Sequence, residues 1–298
     1  MNALMIINPV SGKMVLSRHY TEIVDIFKEA GYNLDVRCTT GEGSAAEIVK
    51  KNASNFDLVI CCGGDGTLNG IINGVMECRK QLPVGYIPCG TTNDFASSIG
   101  LSKNVVTAAR DIVSGVVTQV DVGKFGDTYF SYVASFGAFT QSSYTTPQNM
   151  KNTFGHLAYV VEGVKELPYL KPTFLRVTTE KGEVYEDEYV LGAIANTTSI
   201  GGIIKLDKSR VDMADGEFEV LLIRYPKNII DLNNIIASFN TNDYENPSMV
   251  FLRAKELTVE SKEKIQWSVD GECYEAKEKE TIKNYQKAIN IILPAKKQ

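Results

Sequence analysis

Leu58-Val-Ile-Cys-Cys-Gly-Gly-Asp-Gly-Thr-Leu-Asn-Gly70 is the stretch that decides the fold. Its apolar, β-branched start reads as a buried strand, which empties directly into a glycine-rich turn carrying Asp65, Thr67 and Asn69. A helix is expected from about Leu68. Gly63, Gly64 and Gly66 are expected to reach positive φ, and without Cβ atoms they let a phosphate approach the backbone closely. The N–H groups and partial positive charge at the helix N-terminus suit a nucleotide phosphate. Asp65 repels phosphates unless a cation lies between, so its presence implies Mg²⁺. An ordinary strand–turn–helix junction also uses glycine, but it does not need Asp, Thr and Asn together.

The logic repeats at Val84-Gly-Tyr-Ile-Pro-Cys-Gly-Thr-Thr-Asn-Asp-Phe-Ala96, a short apolar strand running into a second polar glycine turn. One Asn or Asp here caps the next helix. Capping uses one such residue, whereas this turn supplies two hydroxyls, an amide and a carboxylate. Loops at the carboxyl ends of neighbouring parallel strands converge on one crevice. Asp65 and Asp94 are therefore expected at the same Mg²⁺–phosphate group.

A chain of 298 residues is long enough for two domains, each with its own core. Hydrophobic content of 44% with 22% charged residues fits a globular protein. A net charge of −5 argues against nucleic acid as a partner and against broad electrostatic adhesion to anionic membranes. The six cysteines show no C-x-x-C spacing, which points to a reducing cytoplasm and no zinc. No apolar run approaches the roughly 18 residues of a transmembrane segment, and the N-terminus does not read as a signal peptide. A protein of this kind that acts on a lipid must visit the membrane transiently.

Strands are expected at 3–7, 33–38, 58–62 and 84–87, with helices at about 15–30, 45–52, 68–78 and 104–114. This alternation argues for a doubly wound parallel sheet. After about Val120 short strands recur with polar turns, at 128–136, 174–179, 185–195, 218–223, 250–259, 265–269 and 289–293. That texture reads as a β-sandwich. The fold class is thus α/β plus all-β, a nucleotide-binding domain over 1–123 and a sandwich over 124–286. Helices are expected at 153–165, docked on the sandwich or bordering a lipid-entry groove, and at 229–237.

Gly63-Gly-Asp-Gly-Thr67 is shared by NAD kinases, 6-phosphofructokinases and lipid kinases. With Gly90-Thr-Thr-Asn-Asp-Phe-Ala96 following, the chain resembles the bacterial soluble diacylglycerol kinase-like lipid kinases, relatives of sphingosine and ceramide kinases. Asn8-Pro-Val-Ser-Gly-Lys13 is similar to the family's opening nucleotide loop, and Asp121-Val-Gly-Lys124 to its entry into the second domain. Asp212-Met-Ala-Asp-Gly-Glu217 and Asp270-Gly-Glu272 match its metal loop and catalytic loop. The resemblance implies an active site in the interdomain cleft, with the tail from about 287 to 298 returning to the first domain. It implies ATP contact by Asn8, Pro9, Val10, Ser11, Gly12, Lys13, Thr40, Gly64, Asp65, Gly66, Thr67, Leu68, Asn69, Gly70 and Thr91. It further implies a structural Mg²⁺ on the Asp215 carboxylate with backbone oxygens of Asp212 and Glu217. The loop lacks the family's proline-containing approach, since Lys208-Ser-Arg-Val211 stands there. Asp121 is expected to support the cleft network.

Phosphorylating a hydroxyl calls for a carboxylate that takes the proton as the O–P bond forms. Asp270 or Glu272 is that base, although an Asp-Gly pair is also an ordinary hairpin turn. Lys13 can neutralise phosphate as a point charge, but the Walker A spacing is missing. His19 and His156, the only histidines, read as structural, which disfavours Ser-His-Asp hydrolysis and histidine-bound zinc. The expectation is an ATP- and Mg²⁺-dependent lipid kinase, diacylglycerol to phosphatidic acid foremost, with catalysis by Asp65, Asp94 and Asp270 or Glu272. NAD kinase and a non-catalytic nucleotide or lipid sensor are the alternatives. Exposed strand edges leave room for a homodimer.

Overall fold

The computed structural model describes residues 1–11, 13–137, 171–197, 199–200, 204–205, 212–241, 244 and 246–295. The chain forms two compact units. One comprises Met1–Val122, Thr128–Ser131 and Tyr285–Gln298, and the other Gly123–Asp127 and Tyr132–Asn284. The crossing expected near Asp121–Phe125 is followed by a brief return to the first unit at Thr128–Ser131, which the sequence did not signal.

In the first unit β1 (Asn2–Ile7), β2 (Asn33–Cys38), β3 (Leu58–Gly63) and β4 (Pro83–Pro88) pair in parallel in the order β2-β1-β3-β4. The end of the last strand, Lys279–Leu293, adds to β4 in parallel through Asn290 and Ile291. Every residue of β3 is buried while the edge strand β2 is not, as expected when helices cover both faces of a parallel sheet. Those helices are α1 (Lys13–Glu29), α2 (Ser44–Asn52), α3 (Asp65–Met76), α4 (Asp94–Ser98) and α5 (Val105–Ser114). The Asn104 Oδ1 accepts the N–H groups of Val106 and Thr107 and so starts α5. Met5, Ile23, Phe27, Ile60, Ile87 and Ala109 form the centre of one core cluster. β2 flanks β1 on one side and β3 on the other, so the carboxyl ends of β1 and β3 border the topological switch point.

Helix α3 begins at Asp65 rather than Leu68, leaving Gly64 alone between strand and helix. An acidic residue in the first turn complements the helix dipole, and Leu68 N–H already closes on the Gly64 carbonyl at 3.1 Å. The turn glycines do not take positive φ either. Gly64 has φ −96°, and neither Gly63 nor Gly66 adopts the left-handed region.

After α5 come β5 (Val116–Phe125) and β6 (Thr128–Phe130). In the second unit β9 (Val184–Ala195) serves two sets of partners. Its first half pairs with β8 (Thr173–Thr179), and its second half lies between β7 (Val133–Gly137) and β10 (Phe218–Arg224). β10 also pairs with β11 (Met249–Ala254), and β8 with β12 (Glu256–Glu260). β13 (Gln266–Val269) joins β7 to β14 (Glu272–Glu275). Such a strand shared between pairings belongs to a sandwich. Trp267 packs between Phe125 and Phe136, with ring centroids 4.7 and 4.9 Å away. The helix expected at 229–237 is Ile229–Thr241. The expected helix at 153–165, its lipid groove and His156 lie outside the described residues, as does the Lys208–Val211 approach.

Candidate active site

The first unit's loops meet at the carboxyl ends of its central strands. After β1, Asn8 N–H bonds the Cys62 carbonyl at 2.9 Å, and its Oδ1 accepts from Val10 N at 3.0 Å. Its side-chain amide donates to Thr67 Oγ1 at 3.0 Å, bridging the switch point from the β1 loop to the first turn of α3. Between β3 and β4 the glycines provide space rather than special dihedrals. A Cβ on Gly63 would lie 2.6 Å from the Thr67 side chain, and one on Gly90 would lie 2.6 Å from Gly64 Cα. Real Cβ atoms do not approach this closely, and in the second case the atom met is backbone, which cannot swing aside. Gly90→Ala is therefore expected to cost about 3 kcal/mol, the upper range for overpacking. Denaturant titration of the variant, together with ATP binding, checks this.

Asn93 sets the second turn. It adopts left-handed φ 52°, which Asn tolerates better than most residues. Its Oδ1 accepts from Gly90 N–H at 2.9 Å and from the Tyr86 hydroxyl at 3.2 Å, while its amide donates to the Gly90 carbonyl at 2.7 Å. Burial, with Cys61 and Asp65 nearby, raises the Tyr86 hydroxyl far above the usual tyrosine range, so it stays a donor. The turn so formed points the first N–H groups of α4 at Asp65. Asp94 N–H bonds Asp65 Oδ2 at 3.0 Å and Phe95 N–H bonds Oδ1 at 3.3 Å. Asp65 thus fastens the two glycine turns together. Each carboxylate oxygen has a second lone pair, so this role is compatible with accepting from a hydrated cation as well.

The expected nucleotide contacts divide in two. Gly64, Asp65, Gly66 and Thr67 lie at the turn, where first-turn N–H groups have no intrahelical acceptor. Pro9, Val10, Thr40 and Thr91 are exposed in the loops after β1, β2 and β4, and Ser11 N–H bonds the Asn8 carbonyl. The other half packs inward: Leu68 is buried, Asn69 donates to the Tyr129 carbonyl, and Gly70 lies against Ala45 of α2. Gly12 lies outside the described residues, and Lys13 opens α1. Asp121 is buried and its Oδ1 accepts from Lys287 N–H at 2.7 Å.

In the second unit Asp270 and Gly271, with φ 48° and 92°, form the two-residue turn between β13 and β14, the type I′ geometry that Asp-Gly favours. The carboxylate does more than turn the chain. Asp270 is buried, and its Oδ1 accepts the backbone N–H groups of Tyr132 and Val133, both at 2.9 Å. Glu272, two residues on, is exposed.

Asp212, Asp215 and Glu217 are oriented by their own loop and by an arginine. Asp212 Oδ1 accepts from Ala214 N–H at 3.0 Å, and Asp215 Oδ1 from Glu217 N–H at 2.9 Å. Asp215 Oδ2 pairs with Arg253 Nη2, and Arg253 Nε faces Glu217 at 3.7 Å and Glu219 at 3.6 Å. Glu219 is buried, with no hydrogen-bond partner for either oxygen among the described residues, and burial pushes its carboxyl up to about 8 against the opposing pull of Arg253. Among the described residues no group of three or more His, Cys, Asp or Glu is gathered as metal ligands.

Sequence reasoning missed Tyr86 and Asn93 as braces and Arg253 and Glu219 as neighbours of the acidic loop. The Asn-Asp pair after Thr92 was a usable signal for the left-handed position. Nothing local to Arg253 announces its partners.

Residues 2–125 match the diacylglycerol kinase catalytic domain, and residues 134–292 the YegS C-terminal NAD kinase beta sandwich-like domain. The diacylglycerol kinase of Bacillus subtilis (strain 168) is 30% identical over 99% of this chain and 97% of its own length. That of Staphylococcus haemolyticus (strain JCSC1435) is 32% identical over 98% and 88%. A crystal structure from Bacillus anthracis str. Sterne superposes with a TM-score of 0.81 at 26% identity, over 98% of this chain and 95% of that one. With both domains matched and relatives aligned end to end, this chain belongs to the diacylglycerol kinase family of lipid kinases.

Proposed function

We propose that this chain transfers the γ-phosphate of ATP to the free hydroxyl of diacylglycerol, giving phosphatidic acid and ADP with Mg²⁺ as the cation. The observation that carries this reading is the junction of the two glycine turns through Asp65, in a chain that aligns end to end with diacylglycerol kinases. The first-turn N–H groups of α3 suit the nucleotide phosphates, and the hydroxyls of Thr67 and Thr91 add polar partners. Asp65 and Asp94 would hold Mg²⁺, through water. When bound it offsets charge on the transferring phosphoryl group.

Of the two acids at the Asp270-Gly271 hairpin, Asp270 fits the base better. Its carboxylate is buried and oriented by two N–H groups, whereas exposed Glu272 has no such hold. As the lipid oxygen bonds to the γ-phosphorus and the bond to ADP breaks, the hydroxyl proton passes to Asp270. No helix among the described residues is long and apolar enough to cross a membrane. A bilayer-resident substrate is then met at the membrane surface, in transient visits.

The test is transfer of labelled γ-phosphate with Mg²⁺ to diacylglycerol, sphingosine, ceramide and NAD in mixed micelles. Labelled phosphatidic acid is the expected product. Label in sphingosine or ceramide replaces the substrate, label in NAD alone replaces the reading with NAD kinase, and bound ATP with no transfer leaves a sensor.

A further inference from the structure

The resemblance assigns a structural Mg²⁺ to the loop Asp212–Glu217, but the side chains there already have a cation. Glu217 and Glu219 flank the first residue of β10, and Asp215 lies just before them in a bend where Gly216 takes φ 83°. Arg253 lies directly across from Glu219 in the β10–β11 register, so its guanidinium reaches the same face as Glu219. There Nη2 meets Asp215 and Nε faces Glu217 and Glu219. The other Asp215 oxygen accepts from Glu217 N–H, and the Asp212 carboxylate from Ala214 N–H. Mg²⁺ can complete its shell with backbone oxygens and water but still needs a carboxylate to hold it, and the one carboxylate assigned to it, Asp215, already faces the Arg253 guanidinium, whose charge repels a dication.

We propose that Arg253 is the built-in counter-cation of this acidic loop and that the loop holds its shape without a structural metal. A planar guanidinium is suited to the role: it presents several N–H donors at fixed angles and does not lose its charge. Asp215 and Glu217 supply the reason for a fixed cation, because both carboxylates lie within reach of the one guanidinium.

The test uses thermal unfolding of the full chain without nucleotide, in EDTA and in millimolar MgCl₂. The expected result is a Tm equal in the two buffers to within about 1 °C. Arg253→Met is expected to lower Tm in EDTA by about 3 °C or more, since 1 kcal/mol corresponds to a few degrees at this size. It is also expected to acquire a Mg²⁺-dependent rise, as the carboxylates then lack their cation. A wild-type Tm that climbs with Mg²⁺, and stops climbing in Asp215→Asn, overturns the proposal. An Arg253→Met Tm unchanged in EDTA overturns it as well. The wild-type comparison stands alone if Arg253→Met does not fold. None of these readouts depends on which lipid the enzyme phosphorylates.

Discussion

Asp270→Asn is expected to keep the second unit folded and to lower kcat with diacylglycerol by about 10²–10⁴-fold, the range for a positioned acid–base group. Asn is the right probe because it can keep the turn and the two hydrogen bonds of Asp270 Oδ1. It tolerates φ 48°, and its amide oxygen can accept from Tyr132 and Val133 as Oδ1 does now. What it cannot do is take a proton. Asp270→Ala confounds two losses, since it strands two N–H groups that now share one acceptor, at about 1–3 kcal/mol each where buried. Glu272→Gln is the companion variant, and exposure predicts a change of no more than about threefold in kcat. A full loss in Glu272→Gln with a near-normal Asp270→Asn would sink the assignment and move the base to Glu272. Equal unfolding transitions for wild type and Asp270→Asn secure the kinetic interpretation.

The parallel sheet was legible because central strands such as Leu58–Gly63 are apolar along their whole length and end on glycine. The two glycine turns were legible for the same reason, since polar residues stacked at a strand end have few structural uses. What those glycines do was not. Gly64 and Gly90 are small because their backbones touch, a long-range fact that leaves no trace in local dihedral preference. The start of α3 was placed late because Asp-Gly-Thr reads as turn, whereas a first-turn acid is also what a helix N-terminus favours. Arg253 was invisible for a topological reason. Its register against Glu219 depends on how β10 and β11 pair across the intervening helix Ile229–Thr241, and no spacing rule supplies that. The hairpin at Asp270 shows the middle case: the turn type was readable from Asp-Gly, but the grip of its carboxylate on Tyr132 and Val133 was not.

Asp65→Asn is expected to reduce phosphoryl transfer by about 10³-fold, roughly 4 kcal/mol of barrier, with only a modest fall in Tm. The carboxylate has two duties, and the variant separates them. As a clamp it accepts from both Asp94 N–H and Phe95 N–H. An amide keeps one acceptor but turns an NH₂ toward the other N–H, so part of the clamp is lost and the β4–α4 turn loosens. As a charge it would, on the proposed reading, stand beside the nucleotide phosphates with a cation between, and that duty is lost entirely. If the clamp were all, Asn93→Ala, which removes the Oδ1 that holds Gly90 and Tyr86, would loosen the same turn and give a comparable rate loss. If the charge matters, Asp65→Asn falls well below Asn93→Ala at equal stability, and raising Mg²⁺ recovers little of it. Near-normal turnover in Asp65→Asn would leave Asp65 a purely structural tie between the turns and remove it from the chemistry. The geometry favours the larger loss, because a carboxylate held by the N–H groups of one helix and seated at the first turn of another cannot move away from a phosphate bound there.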